Sequence, residues 1–179
     1  MISVDELFIV NYCHPNCIPF MNICRLTKEE AFSLAYKMST DNSDITAFYR
    51  FADFENYYPG RLKQDEYLYN LFLSLGGNPK EKHPLSFVLQ DNEYLDNWFG
   101  NGIVNRIKLK DIPSEFISFT LGDSMASFKK HGECIMYTKE MLLNTISQYN
   151  GTINDYMKEI IEKYFYIEAQ LWNDNYCIV

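Results

Sequence analysis

The chain has 179 residues, 47% of them hydrophobic and 22% charged, with a formal net charge of −8. That length and balance suit one globular domain (1–179) with a full hydrophobic core and exclude a disordered chain. The negative charge speaks against a broad basic surface that grips nucleic-acid phosphates, and no apolar stretch reaches the ~18 residues a membrane helix needs.

In chain order, residues 6–12 (ELFIVNY) are expected to form a first strand, followed by a loop over 11–25 that Pro15 and Pro19 punctuate. Thr27 with Glu30 three residues later is a capping-box signature. Ala31, Leu34, Ala35 and Met38 continue it at helical spacing until the polar turn 39–44. Residues 45–51 (ITAFYRF) read as a second strand, and 52–61 as an aromatic loop with a Pro59-Gly60 turn. A helix over 64–75 is expected from Leu68, Leu71, Phe72 and Leu75, stopping at Gly76-Gly77. Strands follow at 85–90, 103–109, 116–120 and 134–137, with a short helix at 93–99 ending on Gly100. Thr138 opens a helix to about 149. Asn150-Gly151 breaks it, and 153–164 forms another with Tyr156, Ile160 and Ile161 on one face. A last strand carries Glu168, with a further turn and strand over 176–179. Helices and strands mix without regular alternation, so the expected class is α+β with a mixed or split, largely antiparallel sheet and four to five helices.

Five cysteines, an odd number, and an acidic N-terminal start point to reduced thiols in a cytoplasmic protein. Cys13, His14, Cys17 and Cys24 offer zinc-type ligands, but adjacent Cys13 and His14 rarely reach one ion and no second knuckle completes the set, so no metal is expected. Cys13 with His14 as a nucleophile pair is disfavoured for the same reason of adjacency. His83 stands before a proline, either as a base or as a solvated loop residue. Ser124 with His131 is a remote serine-hydrolase option, since no nucleophile elbow surrounds Ser124.

The segment 164–172 places Glu168 and Gln170 on one strand face and Ile167, Ala169 and Leu171 on the other. Both a half-solvated edge strand and a polar cleft give that pattern. Ser118 and Thr120 share a strand face in the same way, and Gly122-Asp123-Ser124 forms a turn beyond them. Arg50 and Arg61 lie among aromatics, including Tyr57 and Tyr58. Guanidinium forks recognise phosphates, and aromatic faces stack on bases, although Arg50 can equally pair with Asp53 or Glu55.

An early-strand Arg50, the hydroxyl pair Ser118-Phe-Thr120 and a late strand with Glu168 beside Gln170 resemble the ADP-ribosyltransferase superfamily. The resemblance implies an NAD-dependent transferase acting on an unknown acceptor. NAD would be pinned by Arg50 and Arg61 and stacked on Tyr57 and Tyr58, with Ser118, Thr120 and Gln170 lining the nicotinamide side. Glu168 would stabilise the oxocarbenium-like ribose or orient the acceptor, with Arg50 and Ser118 completing the catalytic set. The alternative is a small acidic interaction or inhibitor domain that binds a protein partner through the aromatic loop (Phe54, Tyr57, Tyr58).

Overall fold

The computed structural model describes residues 3–177, so the end of the strand expected over 176–179 lies outside them. Six strands form one fully antiparallel sheet: β1 (Phe8–Cys13), β2 (Leu85–Leu89), β3 (Ile103–Lys108), β4 (Ile117–Leu121), β5 (Met136–Thr138) and β6 (Ile167–Leu171). Their order is β3-β1-β2-β6-β4-β5. Seven α-helices accompany them among the described residues, more than the sequence suggests: α1 (Lys28–Asp41), α2 (Tyr49–Ala52), α3 (Phe54–Ser74), α4 (Glu93–Trp98), α5 (Ser124–His131), α6 (Lys139–Gln148) and α7 (Ile153–Tyr164). The class is α+β.

One sheet face is apolar. Ile9, Phe87, Ile117, Phe119, Ala169 and Leu171 point to it and pack on Leu142 and Ile146 of α6 and on Tyr156, Met157 and Ile160 of α7. Met157, not Ile161, completes the buried stripe of α7; Ile161 is exposed. Thr27 and Glu30 cap α1 reciprocally, and Thr152 and Asp155 do the same for α7.

The opposite face is mixed. Across β4 and β6, Ser118 lies opposite Gln170 and Thr120 opposite Glu168. The strand β6 is interior, between β2 and β4, and buried along its whole length. Glu168 therefore does not belong to a solvated edge strand. Over this face run α3 and α5. Phe72 of α3 stacks on Trp172 at 5.5 Å, beside Leu68, Cys134 and Met136.

Two segments differ from the sequence-based expectation. Residues 45–51 form a 3-10 turn (Thr46–Phe48) and α2, not a strand. Of 52–61, expected as a loop, residues 54–61 belong to the 21-residue α3, with Ala52 ending α2 and Asp53 at the α3 N-cap. Phe54, Tyr58, Asp65, Leu68 and Phe72 are buried on α3 at helical intervals. Burial of that stripe outweighs the roughly 3 kcal/mol that an interior proline costs a helix. Gly60 serves the same packing, since a Cβ there would stand 3.3 Å from the Met125 side chain of α5.

Candidate functional site

Between β4, β6 and α3 lies a buried chain of polar side chains. Trp172 Nε1 donates to Ser118 Oγ at 2.9 Å, and Ser118 Oγ donates to Gln170 Oε1 at 2.9 Å. Gln170 Nε2 then donates to Thr120 Oγ1 at 3.0 Å. Thr120 Oγ1 lies 3.5 Å from Glu168 Oε2, which accepts a hydrogen bond from Ser124 N at 2.8 Å. Gln64 Nε2 donates to Ser124 Oγ at 2.6 Å. Direct cross-strand pairing puts these groups within reach of each other, and burial makes each bond costly to lose. Burial, and next the charge of Asp123, push the Glu168 carboxyl above the ordinary range; the Ser124 hydrogen bonds and Arg61 only partly oppose this.

Asp65 anchors a second cluster, fully buried on α3. Its Oδ2 lies 2.8 Å from His83 Nδ1 and accepts from Asn22 Nδ2 at 3.2 Å. Arg61 Nε stands 2.9 Å from Oδ1, one helical turn away but off the hydrogen-bond direction, so that contact is chiefly electrostatic. Burial opposes the Arg61 charge, yet Asp65, Tyr57 and Glu168 more than restore it, and its pKa is raised. Cys24 completes the cluster, its thiol pushed up to about 12 by burial and the adjacent Asp65.

The third feature is an open cleft of about 250 Å³, lined by Tyr49, Arg50, Asp53, Asn56, Tyr57 and Lys129 together with Met125 and Ala126. Arg50 comes from α2 and stands near the rings of Tyr49 and Tyr57, at 5.5 and 5.7 Å. Arg50 Nε donates to the Tyr49 hydroxyl at 2.9 Å, and its Nη2 donates to Asp123 Oδ2 at 3.2 Å. Asp123 also caps α5 by accepting from Ala126 N. Gly122, at φ 73°, turns the chain from β4 to that cap, and a Cβ there would sit 3.1 Å from Tyr164 O. Burial works against the Arg50 charge, but Tyr49, Tyr57 and Asp123 outweigh it and raise its pKa. Leading away from the cleft is a string of rings: Tyr49 meets Trp98 at 6.3 Å, Trp98 meets Tyr94 at 6.2 Å, and Tyr94 meets Phe165 at 5.9 Å. Tyr49, Tyr94 and Phe165 are each more than half exposed.

Of the residues expected to contact a ligand, Arg50 and Tyr57 line the cleft. Arg50 does so from a helix, not from an early strand, and its acidic partner is Asp123, not Asp53 or Glu55. Tyr58 is buried against Phe32 and Phe54, and Arg61 is turned to Asp65. Ser118, Thr120 and Gln170 are sealed into the hydrogen-bonded chain, each at most 1% exposed, and Glu168 is 8% exposed. Glu168 approaches the cleft only through its bond to Ser124, the neighbour of Asp123. The Phe54–Tyr58 surface expected for a partner is interior at both ends, while Tyr36 on α1 and Tyr49, Tyr94 and Phe165 of the ring string are exposed.

His14 Nδ1 accepts from Asn16 N at 3.1 Å, and its ring packs edge-on against Phe48 at 4.9 Å. Ser124 and His131 lie at opposite ends of α5, roughly 10 Å apart along the axis, so the hydrolase pairing does not form. Asp65, Gln64, Tyr49 and Lys129 escaped the sequence reading. The signal for Asp65 was present, as an acid on the apolar stripe of α3 four residues after Arg61. Comparison with protein-family models, curated proteins and solved structures gave no match.

Proposed function

We propose that this chain binds a nucleotide, with NAD as the leading candidate, in the Tyr49–Arg50–Tyr57–Lys129 cleft. The observation that carries this reading is the Arg50 guanidinium beside two tyrosine rings, with a single acidic partner, at the wall of an open cleft. A cation flanked by π-faces meets both halves of a nucleotide, the phosphate and the base. The volume of about 250 Å³ lies below the roughly 300–1,000 Å³ of small-ligand sites. It suits one nucleotide unit, with any second unit laid over the exposed rings of Tyr49, Trp98 and Tyr94. A native-state ligand raises apparent stability by about 2.7 kcal/mol at a hundred times its dissociation constant. Thermal shift with NAD, ADP-ribose and AMP should therefore show stabilisation in the wild type that Arg50→Ala removes. No shift across that panel at millimolar ligand rejects the reading.

Transfer of ADP-ribose, the activity implied by the resemblance, is the enzymatic extension. Its support is the bond that ties Glu168 to Ser124, next to the Asp123 that holds Arg50. If it holds, Glu168→Gln abolishes NAD turnover and leaves NAD binding intact. A partner-binding role is favoured instead by the exposed Tyr94 and Phe165, an unusual aromatic display for a protein surface. Under that role Phe165→Ala and Tyr94→Ala weaken partner capture while nucleotides leave the melting temperature unchanged.

A further inference from the structure

We infer that Cys24, Asp65 and His83 form a binding site for a zinc-type divalent cation, separate from the cleft. Three chain segments deliver these groups: the turn before α1, the middle of α3 and the approach to β2. One ligand atom from each lies within 4.8 Å of the other two. Around a tetrahedral zinc ion, S, N and O ligands stand roughly 3.3–3.6 Å apart, so the His83 Nδ1–Asp65 Oδ2 contact, now 2.8 Å, opens by about 0.5 Å while the Cys24 sulfur closes by up to about 1 Å. A thiolate, an imidazole and a carboxylate are a donor set that selects zinc-like ions over calcium or magnesium.

The surroundings are those of a built site. Arg61 holds Asp65 Oδ1, which leaves Oδ2 turned toward His83. Asn22 fixes both flanks: its Oδ1 accepts from Cys24 N at 2.9 Å, while its Nδ2 donates to Asp65 Oδ2 and to Pro84 O. Outer partners of this kind orient ligands and tune the metal. A thiolate and a carboxylate together neutralise the charge of a dication. A cysteine-protease-like relay fits the same residues poorly. An imidazole placed between nucleophile and acid would separate sulfur and carboxylate by roughly 7 Å, whereas here they are mutual neighbours. Cys24 is also 5% exposed, leaving little room for a substrate.

The test titrates Co²⁺ into chelator-stripped protein and follows the thiolate-to-cobalt charge-transfer band, with melting in Zn²⁺ as a second readout. The expected result is a 1:1 band, a higher melting temperature in Zn²⁺, and affinity lowered about tenfold or more in Cys24→Ser and His83→Gln. Absence of the band in the wild type overturns the proposal. So does a band that survives Cys24→Ser, which would assign the ion to other thiols. If Cys24→Ser fails to fold by circular dichroism, His83→Gln decides, because His83 is partly exposed; wild-type affinity in that variant is equally fatal.

Discussion

Replacing Gln170 by leucine distinguishes a structural polar layer from a ligand-contacting one. The Gln170 amide accepts from Ser118 Oγ and donates to Thr120 Oγ1, and both hydroxyls are at most 1% exposed. Leucine removes both partners and leaves two hydroxyls that are buried away from bulk solvent. Each orphaned buried group costs about 1–3 kcal/mol, so Gln170→Leu should lose about 2–4 kcal/mol after the apolar gain of the new side chain. At about 2–4 °C per kcal/mol for a chain of this size, the melting temperature should fall by roughly 5–15 °C. Urea unfolding followed by tryptophan fluorescence is the natural assay, because the Trp172 indole donates into the same chain at Ser118. A cycle with Ser118→Ala should give a coupling of about 0.5–3 kcal/mol. A loss below about 1 kcal/mol would refute the assignment, and so would unchanged stability accompanied by lost nucleotide affinity.

Glu168→Gln should change the pH dependence of stability. The folded carboxyl is raised above its ordinary value of 4.5, so the folded chain holds that proton more tightly than the unfolded one. This contribution is full below 4.5 and is lost as pH climbs through the folded value. Urea titrations should show that decline in the wild type and not in the glutamine variant, and parallel curves would contradict it. Arg50→Ala should cost no more than about 1 kcal/mol, since its partly exposed pair with Asp123 is screened, while removing nucleotide-induced stabilisation. A large stability loss in calorimetry would make Arg50 a packing residue. Phe165 holds φ 71° with its ring 63% exposed, so Phe165→Gly should relieve about 1 kcal/mol of backbone strain and raise the melting temperature slightly. A marked fall would show that the ring string itself contributes to stability.

Local chemistry made much of the fold legible. Thr27 with Glu30 and Thr138 mark helix starts because each satisfies orphan amides within one turn, and Asn150-Gly151 marks the break before α7. The strands around Phe87, Phe119 and Ala169 follow from apolar runs bounded by turns. The failures lie where long-range burial decides. Phe48, Phe51, Phe54 and Tyr58 have helical spacing, but the rings between them and Pro59-Gly60 mask it; only contact with Ala31, Ala35 and Cys24 selects the helix. Glu168 was visible as an unusual carboxylate, but not its burial, which depends on β2 and β4 arriving on either side of it. The meeting of Cys24, Asp65 and His83 was hidden for the same reason, as no spacing rule joins residues from three distant segments.

Glu168 occupies the middle of an alternating series of charges. Arg50 pairs with Asp123; Asp123 raises Glu168; Arg61 lowers it and itself pairs with Asp65. With Glu168 protonated, two guanidinium groups face two carboxylates and the series is balanced. Its ionisation adds an unmatched negative charge in a buried place, and that is a physical reason for its raised pKa. An anionic ligand on Arg50 competes with Asp123 for the guanidinium, leaving more negative charge beside Glu168 and holding its proton in place. A purely anionic nucleotide thus favours the neutral acid. A ligand whose reacting end is cationic, as the nicotinium ring of NAD is, favours the carboxylate instead. The transferase role proposed for Glu168 would require the carboxylate, so that proposal is tied to NAD rather than to a mononucleotide.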